Sequence, residues 1–174
     1  MPENVRSEYI YKGRVVTLRV DHTTRPDGSV RTREIVEHHG AVAIVPWIDD
    51  QHILLIRQFR PAVDEYLLEI PAGTLEVGED ADACAARELS EEVGYHPGDL
   101  KRMFSQYLAP GYSNEVLHAY VARDLTRQVG QQDEDEDIEV ITVAAADIET
   151  MILDGRIKDA KSIAALLVAI RLYK

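Results

Sequence analysis

The sequence has a single cysteine, Cys84, which excludes an internal disulfide framework and any multi-cysteine zinc site. Placed among alanines, it reads as a small packing residue. No apolar run reaches the about eighteen residues that a membrane span requires. The opening stretch MPENVRSEYI lacks the basic and apolar regions of a secretory leader. The expectation is a cytoplasmic protein with no membrane partner. Basic residues are scarce as well: 19 Lys and Arg against 31 Asp and Glu leave a net charge of −12. That balance argues against a nucleic-acid partner, because binding a phosphate backbone needs clustered Lys and Arg to replace released counterions. An anionic small molecule would also be repelled, unless some carboxylates hold divalent cations that reverse the local field.

Repeats are absent, and no Pro/Gly/Ser-rich linker divides the chain. Residues 1–174 are therefore read as one domain, and 45% apolar residues suffice for a sizeable core. Residues 15–21 are rich in β-branched side chains, Arg25-Pro26-Asp27-Gly28 is a turn signal, and residues 30–36 alternate loosely, which together suggest an N-terminal β-hairpin. The apolar runs 41–47 and 53–56, separated by Asp49-Asp50-Gln51, suggest a second hairpin in a central sheet. Residues 80–93 have a helical pattern, with Asp80 and Asp82 at its start and Gly94 placed for a left-handed cap. Strands are expected at 101–108, 116–121 and 139–143. Helices are expected at 146–154 and 161–172, the last with a stripe of Ile163, Leu166, Leu167 and Ile170. Strands interleaved with helices give a mixed α/β domain.

Placed on a wheel of about 3.6 residues per turn, Glu88 and Glu92 lie about 40° apart and Glu91 about 60° to the other side of Glu88. Three carboxylates therefore share a helix face, beside an apolar stripe of Ala85, Ala86, Leu89 and Val93 that presses the helix onto the sheet. Like charges at this spacing cost roughly 0.2–0.5 kcal/mol per pair, a penalty that divalent cations would remove. Oxygen ligands select Mg²⁺ or Mn²⁺, which bridge carboxylates to substrate phosphates. The plain alternative is a solvated acidic helix with Arg87 as an ordinary partner.

The whole segment, Gly73, Glu79, Arg87-Glu88, Leu89, Glu91-Glu92 and Gly94, resembles the Nudix hydrolase motif, with Tyr95 where an aliphatic residue is usual. Seven fixed identities make a chance match on the order of 10⁻⁸ per window. Beyond the motif, Leu68-Glu69-Ile70-Pro71-Ala72 before it and Ala109-Pro110-Gly111 with Glu115 after it are similar to the ADP-ribose pyrophosphatase subgroup. The resemblance implies a Nudix fold, a mixed β-sheet flanked by helices in an α/β/α sandwich with an N-terminal β-hairpin extension. It implies Mg²⁺-dependent hydrolysis of ADP-ribose to AMP and ribose 5-phosphate, with Mn²⁺ as a substitute.

By the same resemblance, the Ala72 carbonyl, Glu88, Glu92 and Glu136 bind metal, and Glu91 shares or supports that role. Glu134, in the acidic run 133–138, is the water-activating base, with its neighbours in the run as alternatives. Arg33, Glu34, Arg60, Ala109, Pro110, Gly111 and Glu115 contact substrate. A homodimer is expected, with residues 1–40 contributing to it; whether Arg33 and Glu34 act across it stays open. Rival readings are hydrolysis of another nucleoside diphosphate sugar such as GDP-mannose, or of a dinucleotide. A more distant rival is a non-catalytic ADP-ribose-binding module. Such modules commonly lose a motif glutamate, whereas Glu79, Glu88, Glu91 and Glu92 are all present here.

Overall fold

A computed structural model describes residues 5–128 and 138–173. The chain opens with three strands, β1 (Val5–Lys12), β2 (Thr17–Thr24) and β3 (Val30–Glu37), in an antiparallel sheet of order β1-β2-β3. The expected turn joins β2 to β3: Gly28 takes φ 81° and donates to the Arg25 carbonyl at 2.9 Å. The extension is nevertheless a three-stranded sheet rather than a two-stranded hairpin. Strand β1 is exposed along its whole length, so it has no buried face to impose an alternation.

Then follow β4 (Ala41–Pro46), β5 (His52–Arg60), β6 (Glu65–Glu69), β7 (Ala72–Thr74), α1 (Ala81–Val93), β8 (Tyr95–His96), β9 (Asp99–Tyr107), β10 (Val116–Arg123), β11 (Thr126–Arg127) and β12 (Ile138–Ala144). A short 3₁₀ turn leads into α2 (Ile148–Leu153), and α3 (Ala160–Leu172) closes the described chain. One sheet has the order β7-β4-β10-β9, a second β12-β5-β6, and a two-stranded ribbon pairs β11 with β8. Strand β4 runs parallel to β10 and antiparallel to β7.

The expected pairing of residues 41–47 with 53–56 is corrected. The tight turn exists, but beyond a single Trp47–Ile53 bridge the strands diverge into different sheets. A polar turn fixes only its own geometry, and partners far along the chain decide which edges are satisfied.

Every residue of β4 is buried, and the period of two along it splits the core. Ala41, Ala43 and Val45 pack in one cluster with Ile148 and Met151 of α2 and Leu166 and Ile170 of α3. Val42 and Ile44 pack in the other with Cys84, Ala85, Leu89 and Val93 of α1. Helices therefore cover opposite sides of a mixed sheet, which is the α/β/α layering expected.

Candidate active site

Helix α1 is held at both ends. The Asp80 carboxylate caps its start, accepting from the N–H groups of Asp82 and Ala83 at 3.0 and 3.2 Å. Gly94 ends it in the left-handed region, φ 75°, donating to the Ser90 carbonyl. Its first turn is also tied to the sheet. The Tyr120 hydroxyl donates to Asp82 at 2.6 Å and Arg102 donates to the same oxygen at 2.9 Å, which together hold that carboxyl below its ordinary pKa. With the apolar face buried, Glu88, Glu91 and Glu92 are turned toward one cleft of about 710 Å³. All three line it, as the helix wheel predicts.

The opposite wall is β7. A β-carbon built on Gly73 would fall onto the Glu88 carboxylate, so any side chain there would push that carboxylate out of its place against the strand. Next to it, the Ala72 N–H donates to Glu92 Oε2 at 2.9 Å, and Glu92 is only 5% exposed.

Arg87 organises the remaining acid. Its Nε and Nη2 donate to the two oxygens of Glu79 at 2.9 and 3.1 Å, and its Nη1 reaches Glu88 Oε1 and Glu91 Oε2, each at 2.8 Å. The hydrogen bonds from Arg87 hold the Glu79 carboxyl down at about 2, aided by the Glu76 N–H. Burial pushes the nearby Cys84 thiol up to about 12, as suits a packing residue with no nucleophilic role. Sequence reasoning quoted Arg87 within the motif without finding this hub. The only signal was its position one residue before Glu88 and four before Glu91, on a face that must carry several acids.

The donor set fits a hard divalent cation: it consists of oxygens, three carboxylates and the Ala72 backbone on a cradle kept open by Gly73. Glu76, Glu88, Glu91 and Glu92 line this cleft together with Arg14, Arg60 and Arg87, of which Arg87 is paired with Glu79 and Arg60 with Glu69. The cleft is therefore net negative before any cation enters, and divalent ions would reduce its repulsion of an anion. Among the described residues no group of three or more Asp, Glu, His or Cys is gathered at metal-ligand spacing. The carboxylates are turned instead to Arg87 and to the Ala72 N–H.

Arg60 lines the same cleft, but its fork is engaged: Nε and Nη2 donate to the two oxygens of Glu69, each at 2.8 Å. Glu69 is 1% exposed and is bonded as well by Lys161 of α3. This buried acid was quoted only as part of the lead into the motif.

Ala109, Pro110 and Gly111 form a turn after β9, in which the Ala109 carbonyl accepts from Tyr112 and Ser113. The turn is stitched to the end of β3, with Val36 donating to the Tyr112 carbonyl at 2.8 Å and Asn114 donating to the Val36 carbonyl at 3.2 Å. It brings Glu115 to 3.8 Å from His38 Nδ1, an atom that accepts the Gly40 N–H. None of these residues lines the cleft; the segment meets His38, whose chain neighbour His39 does line it. Arg33 and Glu34 lie on exposed β3 and are not brought to the cleft within the chain. Glu134 and Glu136 lie outside the described residues.

Comparison with known proteins is consistent with this geometry. A family model described as NUDIX domain matches residues 37–166, and one described as nucleoside diphosphate sugar hydrolase N-terminal domain matches residues 3–36. The chain is 37% identical to a methanol dehydrogenase activator of Bacillus methanolicus, and 36% identical to an ADP-ribose pyrophosphatase of Bacillus subtilis. Each of these alignments covers 94% of this chain and 90% of the relative. It is 34% identical to a GDP-mannose pyrophosphatase of Klebsiella pneumoniae, over 82% of this chain and 78% of that one. A crystal structure of an ADP compounds hydrolase superposes with a TM-score of 0.84 at 28% identity, covering 95% of this chain and 91% of that one.

Proposed function

The chain belongs to the NUDIX domain family, and from that premise we propose that it hydrolyses the diphosphate bridge of ADP-ribose, with Mg²⁺, to AMP and ribose 5-phosphate. The observation that carries this reading is the cleft that Glu88, Glu91 and Glu92 line together with the Gly73 cradle and Arg60. The relatives named for ADP-ribose and the fold of an ADP compounds hydrolase support the choice of substrate.

Glu88, Glu92 and the Ala72 carbonyl, with Glu136, would hold the cation. Bound there, it neutralises phosphoryl charge and makes an attacking water more acidic. The chain's own groups perform the rest. Arg87 fixes Glu88 and Glu91, so the acidic face keeps one arrangement through turnover. Arg60, a planar donor held in place by Glu69, orients the diphosphate. Glu134 takes the proton from water; Glu91, partly exposed in the cleft wall, is the described residue best placed to share that task.

The assembly in this reading is a cytoplasmic homodimer, and residues 1–174 act as one functional domain. The N-terminal sheet leaves Tyr9, Ile10, Tyr11, Val15 and Val30 exposed, a quantity of apolar surface suited to a second copy. Arg33 and Glu34 would then reach substrate in the partner's cleft, while Ala109, Pro110, Gly111 and Glu115 would approach it from the turn beside His38. GDP-mannose is the second reading, favoured by the Klebsiella relative. Turnover of a panel of nucleoside diphosphate compounds, with phosphatase-coupled phosphate release, tests both. A GDP-mannose rate well above that for ADP-ribose overturns the first, and light scattering that finds a monomer overturns the dimer.

A further inference from the structure

We propose that Lys161 is a positioning residue for substrate: from helix α3, outside the cleft wall, it shares the Glu69 carboxylate so that Arg60 keeps positive charge for the diphosphate. The inference rests on the reading of Arg60 as a diphosphate contact.

Seen from the cleft, a guanidinium paired through both oxygens of one carboxylate is close to neutral, and it offers an incoming anion little. Arg60 and Glu69 are such a pair, with two parallel bonds of 2.8 Å and an acid that is almost wholly buried. The second cation keeps that balance from turning negative beside a second acid, Asp159. Lys161 Nζ bonds Glu69 Oε2, the oxygen that also accepts from Arg60 Nη2, and Asp159 Oδ2 at 2.9 Å. Arg60, Lys161, Glu69 and Asp159 then sum to zero charge. Removing the lysine leaves a net negative group around the arginine that is meant to attract phosphate, and Glu92 adds to it through the field it exerts on Arg60. Burial alone would push the Glu69 carboxyl up; Arg60 and Lys161 together more than offset it, so Glu69 stays ionised.

The lysine is delivered rigidly. Asp159 caps α3 by accepting from the Ser162 N–H at 3.0 Å and from its hydroxyl at 2.6 Å. The Ser162 oxygen in turn accepts the Ile70 N–H at 2.9 Å. The start of α3 is thus fastened to Ile70, the residue that follows Glu69 in the connection leading to the metal cradle. Lys161 is absent from the cleft wall, so it acts only through Glu69 and Arg60.

The test uses Lys161→Met, Lys161→Arg and the double variant Glu69→Gln/Lys161→Met. The readouts are calorimetric binding of α,β-methylene ADP-ribose with Mg²⁺, and KM and kcat on ADP-ribose. Lys161→Met is expected to weaken binding and raise KM about tenfold, the equivalent of roughly 1.4 kcal/mol, with kcat unchanged. Lys161→Arg keeps the affinity of the unmodified protein. The double variant restores affinity, because removing one positive and one negative charge returns Arg60 to its original net surroundings. A lysine that only braces the helix gives the opposite pattern: lower thermal stability, unchanged KM, and a double variant worse than the single. Unchanged binding by Lys161→Met, or a double variant weaker still, overturns the proposal. Should Lys161→Met not fold, the double variant decides alone, since near-normal affinity supports charge sharing and lost affinity refutes it. Unmodified protein that binds the analogue without hydrolysing ADP-ribose defeats the functional reading and leaves the binding comparison to judge Lys161. Unmodified protein that does not bind defeats both.

Discussion

Replacing Gly73 by alanine isolates the cradle from the rest of the motif. The added β-carbon would occupy the position of the Glu88 carboxylate, so either strand or side chain must yield. The strand is the stiffer of the two: Gly73, the middle residue of β7, is paired with Val42 of the buried β4, whereas Glu88 ends in a flexible side chain. Restoring ordinary contact therefore moves the carboxylate by about 1 Å or more, which breaks its geometry with Arg87 and with any bound cation. A misplacement of that size costs about 10²-fold in rate. Because what yields is the far end of a flexible side chain, the stability cost is small, and Tm should move by no more than about 2–4 °C. The assay is kcat on ADP-ribose across a Mg²⁺ titration, with Tm measured alongside. Gly155→Ala is the control, because its φ of 80° strains an alanine with nothing near the new β-carbon, far from the cleft wall. It should lose about 1–2 kcal/mol of stability and no activity. A Gly73→Ala protein with near-normal kcat and an unshifted Mg²⁺ midpoint would refute the cradle reasoning.

Glu92→Gln keeps an acceptor for the Ala72 N–H and so keeps the fold, but turnover should fall by at least about 100-fold; near-normal kcat in purified protein counts decisively against the metal site. Arg87→Lys replaces a fork that serves Glu79, Glu88 and Glu91 with a single ammonium group, and it should lower both kcat and Tm; unchanged values for both would dismiss the hub. Because the Glu79 carboxyl falls from 4.5 to about 2 on folding, its contribution to stability is fully present above pH 4.5 and is lost as pH falls toward 2. The Tm gap between the unmodified protein and Glu79→Gln should therefore narrow over that window and stay flat from pH 6 to 8; a gap that widens on acidification would contradict the clamp. With Mg²⁺ and α,β-methylene ADP-ribose present together, Tm should rise above that with either alone, and a chelator should reverse the rise.

Helix α1 was legible because everything that specifies it is local. Asp80 starts it, Gly94 ends it, and the spacing of Leu89 and Val93 decides which way Glu88, Glu91 and Glu92 face. Strand β1 was not legible, since an element exposed throughout carries no period. The pairing of β4 was misjudged for a different reason. The turn at Asp49-Asp50-Gln51 announces a reversal, but its fully apolar strand is buried by β7 and β10, and β10 lies more than seventy residues further on. The carboxylates of the site were found from the motif, while the cations that hold them were not. Arg87 was read only as a position of the motif, and the bond from Lys161 to Glu69 spans 92 positions with no local pattern to betray it.

Two buried carboxylates flank the short lead from β6 into β7, and their surroundings separate a locked acid from a working one. Taking an ionised carboxylate out of water is costly unless charge or hydrogen bonds replace the solvent. Glu69 is compensated by two cations on rigid elements, so its charge is committed and changes little when substrate arrives. Glu92 is held by a backbone N–H on the cradle side, with Arg60 close enough to feel its charge. A divalent ion entering beside Glu92 would relieve the field on Arg60 from that side, while Lys161 relieves it from the other. Arg60 would then be most available to a diphosphate when the cation is already in place. On this argument Mg²⁺ should lower KM for ADP-ribose less in Glu69→Gln than in the unmodified protein, because Arg60 is already released there. An equal Mg²⁺ effect in both proteins would separate the ion pair from the metal site.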